Sequence, residues 1–221
     1  MNNTILILAA HPDDEILGCG GVIQKHVKAG DSVIVIIVTD GSSSQYPHDK
    51  VKADERIQAC KDANLFLGVS RVLFLNFPDM KLDSVSQIDI NNKIAEVVNE
   101  VKPNVIYTHS KTDLNNDHRI VAQSSEIICR PGSSSIRKMY SYEVLSSTEW
   151  SFNHVFQPNV FIDIESFIEN KIEAFRFYKT EHRPYPHSRS FEGIQILAQY
   201  RGLQSGVKAA EAFKLIASYG D

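Results

Sequence analysis

The stretch Thr4–Gly21, TILILAAHPDDEILGCGG, carries the reading of the whole chain. Its first seven residues form a continuous apolar run, as a strand buried on both faces requires. Pro12 holds His11 in an extended conformation, which suits a strand end. The acids that follow open a helix, read over Glu15–Ala29 and stopped by Gly30. A strand thus runs through a tight polar turn into a helix, and the pattern then repeats. Ser32–Thr39 is a β-branched strand ended by Asp40-Gly41-Ser42-Ser43-Ser44, and Lys50–Leu67 is a helix closed by Gly68. Val72–Phe77 reads as the third strand, Ile88–Val101 as a helix, and Val105–Thr108 as the fourth strand.

Repetition of this kind implies an α/β fold: a three-layer, mostly parallel Rossmann-like sheet with helices on both faces and right-handed crossovers. Beyond residue 119 the rhythm loosens. Arg119–Cys129 reads as helix, Pro131–Ser135 as loop, and Lys138–Leu145 and Val160–Ile164 as strands. Ser166–Lys179, Phe191–Leu203 and Lys208–Ala217 read as helices, with Glu181–Arg189 a loop holding two prolines and two histidines. No repeat or dividing linker is visible, so residues 1–221 are expected to form a single domain.

Composition excludes several classes. The 221 residues carry 23 Lys+Arg against 27 Asp+Glu, a net charge of −4, so no basic nucleic-acid footprint exists. Apolar residues at 43% exclude disorder, and no apolar run is long enough for stable membrane insertion. Met1-Asn2-Asn3-Thr4 lacks the basic region of a signal peptide, and three scattered cysteines make no disulfide framework. A cytoplasmic location is the expectation. Homo-oligomerisation stays open.

Open parallel sheets bind ligands outside the carboxyl ends of their strands, so the residues following each strand matter most. The first strand delivers His11, Asp13 and Asp14; the second Asp40; the third Asp79; the fourth His109 and then Asp113, Asn115, Asp117 and His118. Asp13 and Asp14 can serve merely as a helix cap and first-turn acids. Alternatively, a His three residues before an Asp across a tight turn aims an imidazole and a carboxylate at one point. His118 can be a surface residue behind an Asn116/Asp117 cap, or a third ligand oriented by Asp113 and Asp117. Two His and one Asp suit a catalytic Zn²⁺ with positions open for water and substrate, leaving Asp13 free to act as general base. Arg56 alone reads as a solvated charge, and Asp79 and Asp40 as turn acids. The small residues around Cys19 read as close helix packing, and Trp150, Phe152 and His154 as either core or a sugar-facing wall. A doubly wound nucleotide-binding module is disfavoured. It lacks a G-x-G-x-x-G after the first strand, and two acids stand where a pyrophosphate would bind.

Ala9–Gly21 resembles the signature of the PIG-L/LmbE-like zinc-dependent N-deacetylases. Thr39-Asp40-Gly41, the Arg56-bearing helix, Phe77-Pro78-Asp79, Asp113–Arg119 and, more weakly, His187–Ser190 follow in the family's order. The resemblance implies that His11, Asp14 and His118 hold one Zn²⁺ per chain (a site of this type also takes Fe²⁺), with Asp13 as base. It also implies that Arg56 and Asp79 hold sugar hydroxyls. The implied partner is a small N-acetylated amino sugar or glycoconjugate such as a GlcNAc conjugate, hydrolysed at its linear amide by metal-activated water. Some members carry a histidine three residues before the last ligand, where this chain has Asn115, an uncharged group; His109 and His187 are the candidate substitutes. An amidase for another N-acyl conjugate and a non-catalytic binding relative are the alternatives.

Overall fold

The computed structural model describes residues 2–44, 46–132 and 135–220. The elements are β1 (Thr4–Ala9), α1 (Asp14–Lys28), β2 (Ser32–Thr39), α2 (Lys50–Leu67), β3 (Arg71–Phe77), α3 (Gln87–Val101), β4 (Val105–His109) and α4 (Asn116–Ile128). They continue with β5 (Lys138–Tyr142), β6 (Val160–Asp163), α5 (Ile168–Phe175), α6 (Phe191–Ser205) and β7 (Ala210–Ser218). The seven strands form one sheet in the order β3-β2-β1-β4-β5-β7-β6. Pairing is parallel from β3 through β5, and β7 runs antiparallel to both β5 and β6.

Side chains alternate across β1 and divide the interior in two. Ile5, Ile7 and Ala9 pack with buried residues of α1, α2, α5 and α6, whereas Leu6, Leu8 and Ala10 face α3 and α4. Both faces are covered, which is why the run is apolar throughout, and the three-layer α/β expectation holds. Helix ends follow local chemistry: the Asp49 carboxylate accepts from Lys52 N–H at the start of α2, and Gly68 takes a left-handed conformation at its end.

The segment expected as a helix over Lys208–Ala217 is instead the strand β7. Ala, Glu, Lys and Leu favour helix, but two strands flank this segment and supply its ladder, so tertiary pairing overrides a weak propensity. Smaller differences have similar origins: the strand begun at Lys138 ends at Tyr142, and α5 occupies only the middle of the expected Ser166–Lys179 helix. Ser133 and Ser134 of the expected Pro131–Ser135 loop lie outside the described residues. Among the described residues, no helix is long and apolar enough to cross a membrane.

Helix α1 is clamped at its middle by a buried ion pair. Gly21 and Val22 N–H donate to Glu211 Oε1 and Oε2 at 2.9 and 2.7 Å. Lys171 Nζ donates to Leu17 O at 2.7 Å and to Glu211 Oε1 at 2.6 Å. Leu17 O and Gly21 N are the two ends of one ordinary i→i+4 helix bond, and the ion pair engages both. Small residues allow this approach. A Cβ at Gly18 would lie 2.3 Å from the Tyr142 ring, and one at Gly20 would lie 2.9 Å from Lys171 Cγ.

Candidate metal centre

β1 pairs with β2 on one side and β4 on the other, so the chain reverses direction across the sheet there and opens a crevice at the strands' carboxyl ends. His11 leaves β1, Asp14 begins α1, and His118 sits in the first turn of α4. Three of their atoms form a nearly equilateral triangle. His11 Nδ1 lies 3.2 Å from His118 Nε2, and Asp14 Oδ2 lies 3.3 Å from each. Tetrahedral donors at zinc bond lengths of about 2.0–2.1 Å stand about 3.3–3.4 Å apart, so the triangle fits such a cation. All three side chains are buried.

Carboxylates face the far nitrogens of both imidazoles. His11 Nε2 is 3.2 Å from Asp117 Oδ2 and 3.5 Å from Asp79 Oδ1, and His118 Nδ1 is 3.2 Å from Asp113 Oδ1. Asp117 therefore orients His11 rather than its chain neighbour His118. Asp113 also accepts from the Ser147 and Thr148 hydroxyls. Burial alone would raise Asp113, yet the His118 contact and these hydroxyls bring it down to about 2. Burial would lower both ligand imidazoles, but the surrounding carboxylates outweigh it and raise His11 to about 9 and His118 to about 10. Burial likewise works to raise Asp14, which His118 and His109 hold well below the usual carboxylate range.

Asp13 is oriented differently from Asp14 because its backbone φ is 115°, a left-handed value that costs a non-glycine residue about 1–3 kcal/mol. Its neighbours enforce this. Asp13 N–H donates to Glu15 Oε2 at 3.0 Å, and Arg56 Nη2 holds Pro12 O at 3.1 Å. Arg56 Nη1 holds Gly41 O at 2.6 Å. Gly41 packs on Pro12 so closely that a Cβ there would sit 2.2 Å from Pro12 Cδ. The Asp13 side chain caps nothing. Its Oδ2 lies 3.6 Å from Arg56 Nη2 and 3.4 Å from Arg189 Nη1. Burial raises Asp13 to about 7 against the opposing pull of Arg56.

One cavity of about 380 Å³ is lined by His11, Asp13, Asp14, Arg56, Asp79, Asn115 and His118, the residues expected as ligands, base and substrate contacts, while Asp40, Asp113 and Asp117 stand outside its wall. Asn115 also caps α4, its Oδ1 accepting from Asp117 N–H at 2.9 Å, while its Nδ2 meets Met80 Sδ at 3.4 Å. Glu181 and Arg189 line the same cavity and were not singled out. They lie in an aperiodic loop, where His187–Ser190 was the sole signal. Neither candidate substitute imidazole lines the cavity. His109 stacks on His118 with centroids 3.9 Å apart and accepts from Ala10 N–H at 2.8 Å, and burial lowers it to about 4. His187 accepts from Arg189 N–H and packs edge-on against Trp150. Trp150, Phe152 and His154 are exposed rather than core and are absent from the cavity wall. Cys19 is buried and free.

Fold and site together define a three-layer α/β protein with a candidate His–Asp–His metal centre at the switch point of its sheet. The model of the PIG-L family, GlcNAc-PI de-N-acetylase, matches residues 6–128, and the chain belongs to this family. It is 29% identical over 184 residues to the uncharacterized deacetylase YaiS of Escherichia coli K12, covering 80% of this chain and 90% of that protein. It is 23% identical over 223 residues to the diacetylchitobiose deacetylase of Thermococcus kodakarensis, covering 96% and 82%. The crystal structure of GalB, the 4-carboxy-2-hydroxymuconate hydratase of Pseudomonas putida KT2440, superposes with a TM-score of 0.79 at 21% identity over 100% of this chain and 98% of that one.

Proposed function

We propose that the protein is a divalent-metal-dependent hydrolase that removes the N-acetyl group from an amino sugar such as a GlcNAc conjugate. His11, Asp14 and His118 would hold the cation, taken as Zn²⁺, with Fe²⁺ also matched by this donor set. The observation that carries the reading is the 3.2–3.3 Å triangle of donors with a spare buried carboxylate, Asp13, one residue away. Deacetylases among the relatives support it. Because a hydratase shares the architecture, the chemistry is argued from the site and not from the fold.

When bound, the cation would acidify a water and polarise the amide carbonyl. Asp13 takes the proton of the attacking water as the new C–O bond forms. It then returns that proton to the nitrogen as the C–N bond breaks, giving acetate and a free amine. Arg56 and Asp79 on the cavity wall are assigned to the sugar hydroxyls, and Asn115 to the substrate as a neutral donor. The chain is read as one domain, and its three free, buried cysteines agree with a reducing, cytoplasmic setting.

The test is metal content and acetate release together. Wild type carries about one divalent ion per chain and releases acetate from N,N′-diacetylchitobiose or a related N-acetyl amino sugar. His118→Ala loses both. Stoichiometric metal in His118→Ala refutes the ligand set. A metal-loaded wild type that leaves every N-acetyl amino sugar intact while cleaving another N-acyl amine favours the amidase alternative.

A further inference from the structure

Of the two arginines beside Asp13, Arg56 gives both terminal nitrogens to backbone carbonyls, whereas Arg189 is held only by the Asp13 and Glu181 carboxylates. Arg56 is 5% exposed, and its Nη1 and Nη2 donate to the carbonyls of Gly41 and Pro12. Arg189 comes from the loop before α6 and lies in the cavity wall with its side chain 22% exposed. Its Nη1 is shared between Asp13 Oδ2 at 3.4 Å and Glu181 Oε2 at 3.1 Å. Its Nε is buried and has no hydrogen-bond partner. A buried donor without an acceptor is unfavourable until one arrives, and this one belongs to a group that lines the candidate site.

Position 115 offers no charge. Asn115 is a neutral amide whose Oδ1 caps α4 and whose Nδ2 gives one of its two N–H groups to Met80 Sδ, so it can donate to a substrate without bringing charge. We propose that Arg189 supplies the cationic donor to the amide oxygen of the substrate as that oxygen gains negative charge. The inference rests on the deacetylase reading. Geometry selects the amide oxygen over a distant sugar hydroxyl. Asp13 must stand within one water of the attacked carbon, and Arg189 Nη1 lies 3.4 Å from the same Asp13 oxygen. A guanidinium has donors only and keeps its proton, so Arg189 stabilises charge while proton transfer stays with Asp13. The family match ends at residue 128, so this donor comes from the part of the chain beyond the family model's match.

Arg189→Gln and Arg189→Lys in the zinc-loaded protein test this, with N,N′-diacetylchitobiose as substrate and acetate as a second probe. Glu181 keeps Arg56 at 3.5 Å in both variants, and Arg189→Lys also keeps the charge beside Glu181. Arg189→Gln lowers kcat by about 100-fold or more with KM within about threefold, as expected for a lost oxyanion donor. Arg189→Lys retains more turnover than Arg189→Gln. Acetate, whose carboxylate carries this charge at rest, binds about tenfold more weakly to Arg189→Gln by calorimetry. A kcat within threefold of wild type, a change confined to KM, or unchanged acetate binding overturns the assignment. Failure of the wild type to release acetate from any N-acetyl amino sugar overturns the deacetylase reading instead, while acetate binding still judges Arg189.

Discussion

Replacing Lys171 by Met isolates what the buried ion pair contributes to α1. Methionine keeps much of the lysine's volume and apolar stem but leaves Glu211 buried with the Gly21 and Val22 amides as its remaining donors, and it leaves Leu17 O without its ammonium partner. Removing one member of a buried pair costs about 3–5 kcal/mol. For a chain of this size about 1 kcal/mol moves Tm by about 2–4 °C, so the expected fall is about 6–20 °C. The gap between wild type and Lys171→Met is read by urea titration at pH 7. In Lys171→Met/Glu211→Gln the loss should be smaller than the sum of the single losses. A Lys171→Met cost below about 1 kcal/mol at pH 7, or fully additive losses in the double variant, would refute the reasoning.

Three further perturbations probe other parts of the molecule. Gly18→Ala gains about 1 kcal/mol of helix propensity but drives a Cβ into the Tyr142 ring, which is anchored by its hydroxyl on Leu8 O at 2.7 Å. A net loss of about 1–2 kcal/mol in urea titrations is expected, and a gain would contradict the packing. Asp13→Asn should keep its metal, measured by elemental analysis, while kcat falls about 10²–10⁴-fold; near-normal turnover excludes it as the base. Burial opposes ionisation of Asp31, but the Asn3 amide at 2.7 Å and the His26 contact outweigh it and hold the carboxyl below its usual value. Its stabilisation is therefore present above about pH 4 and lost as pH falls through the lowered value. Asp31→Asn should cost about 1 kcal/mol or less at pH 7, with the difference in Tm closing by pH 3; a difference that persists there rules out the charge as its origin.

The half of the fold up to residue 128 is legible because independent signals agree at each element. Thr4–Ala9 is apolar on both faces and flanked by a polar turn, and Lys50–Leu67 has a capping Asp49 before it and Gly68 after it. β7 was not legible because its informative residue is polar. Glu211 faces α1 amides 190 positions away in the chain, and no local periodicity reports that a carboxylate will be buried against a helix backbone. The site divides in the same way. His11, Asp14 and His118 follow strands that are neighbours in any sheet of this order. Which carboxylate backs which imidazole depends on the rotation of α4 about its axis, and there Asp117 turns toward His11 while Asp113 serves His118. Glu181 and Arg189 belong to a loop whose path is set by α5 and α6 rather than by any pattern of its own.

The strained backbone at Asp13 accounts for how two consecutive acids come to occupy different environments. In a regular helical start, neighbouring side chains already diverge, but both would remain near the helix N-terminus and compete for the same amides. At φ 115° the Asp13 carboxylate is carried to Arg56 and Arg189, while the Asp14 carboxylate remains with His11 and His118. The surroundings that hold this conformation are themselves parts of the motif: Glu15 takes the Asp13 amide, Pro12 offers its carbonyl to Arg56, and Gly41 makes room for the proline ring. Glu15 is in turn fixed by Asn64 and the Tyr178 hydroxyl, which ties the turn to α2 and to the segment after α5. The resemblance carried by Ala9–Gly21 therefore has a physical content beyond its ligands. Each residue from His11 to Glu15 either faces the donor triangle or holds the neighbour that does, so replacing any one of them disturbs the separation of the two carboxylates on which the proposed chemistry depends.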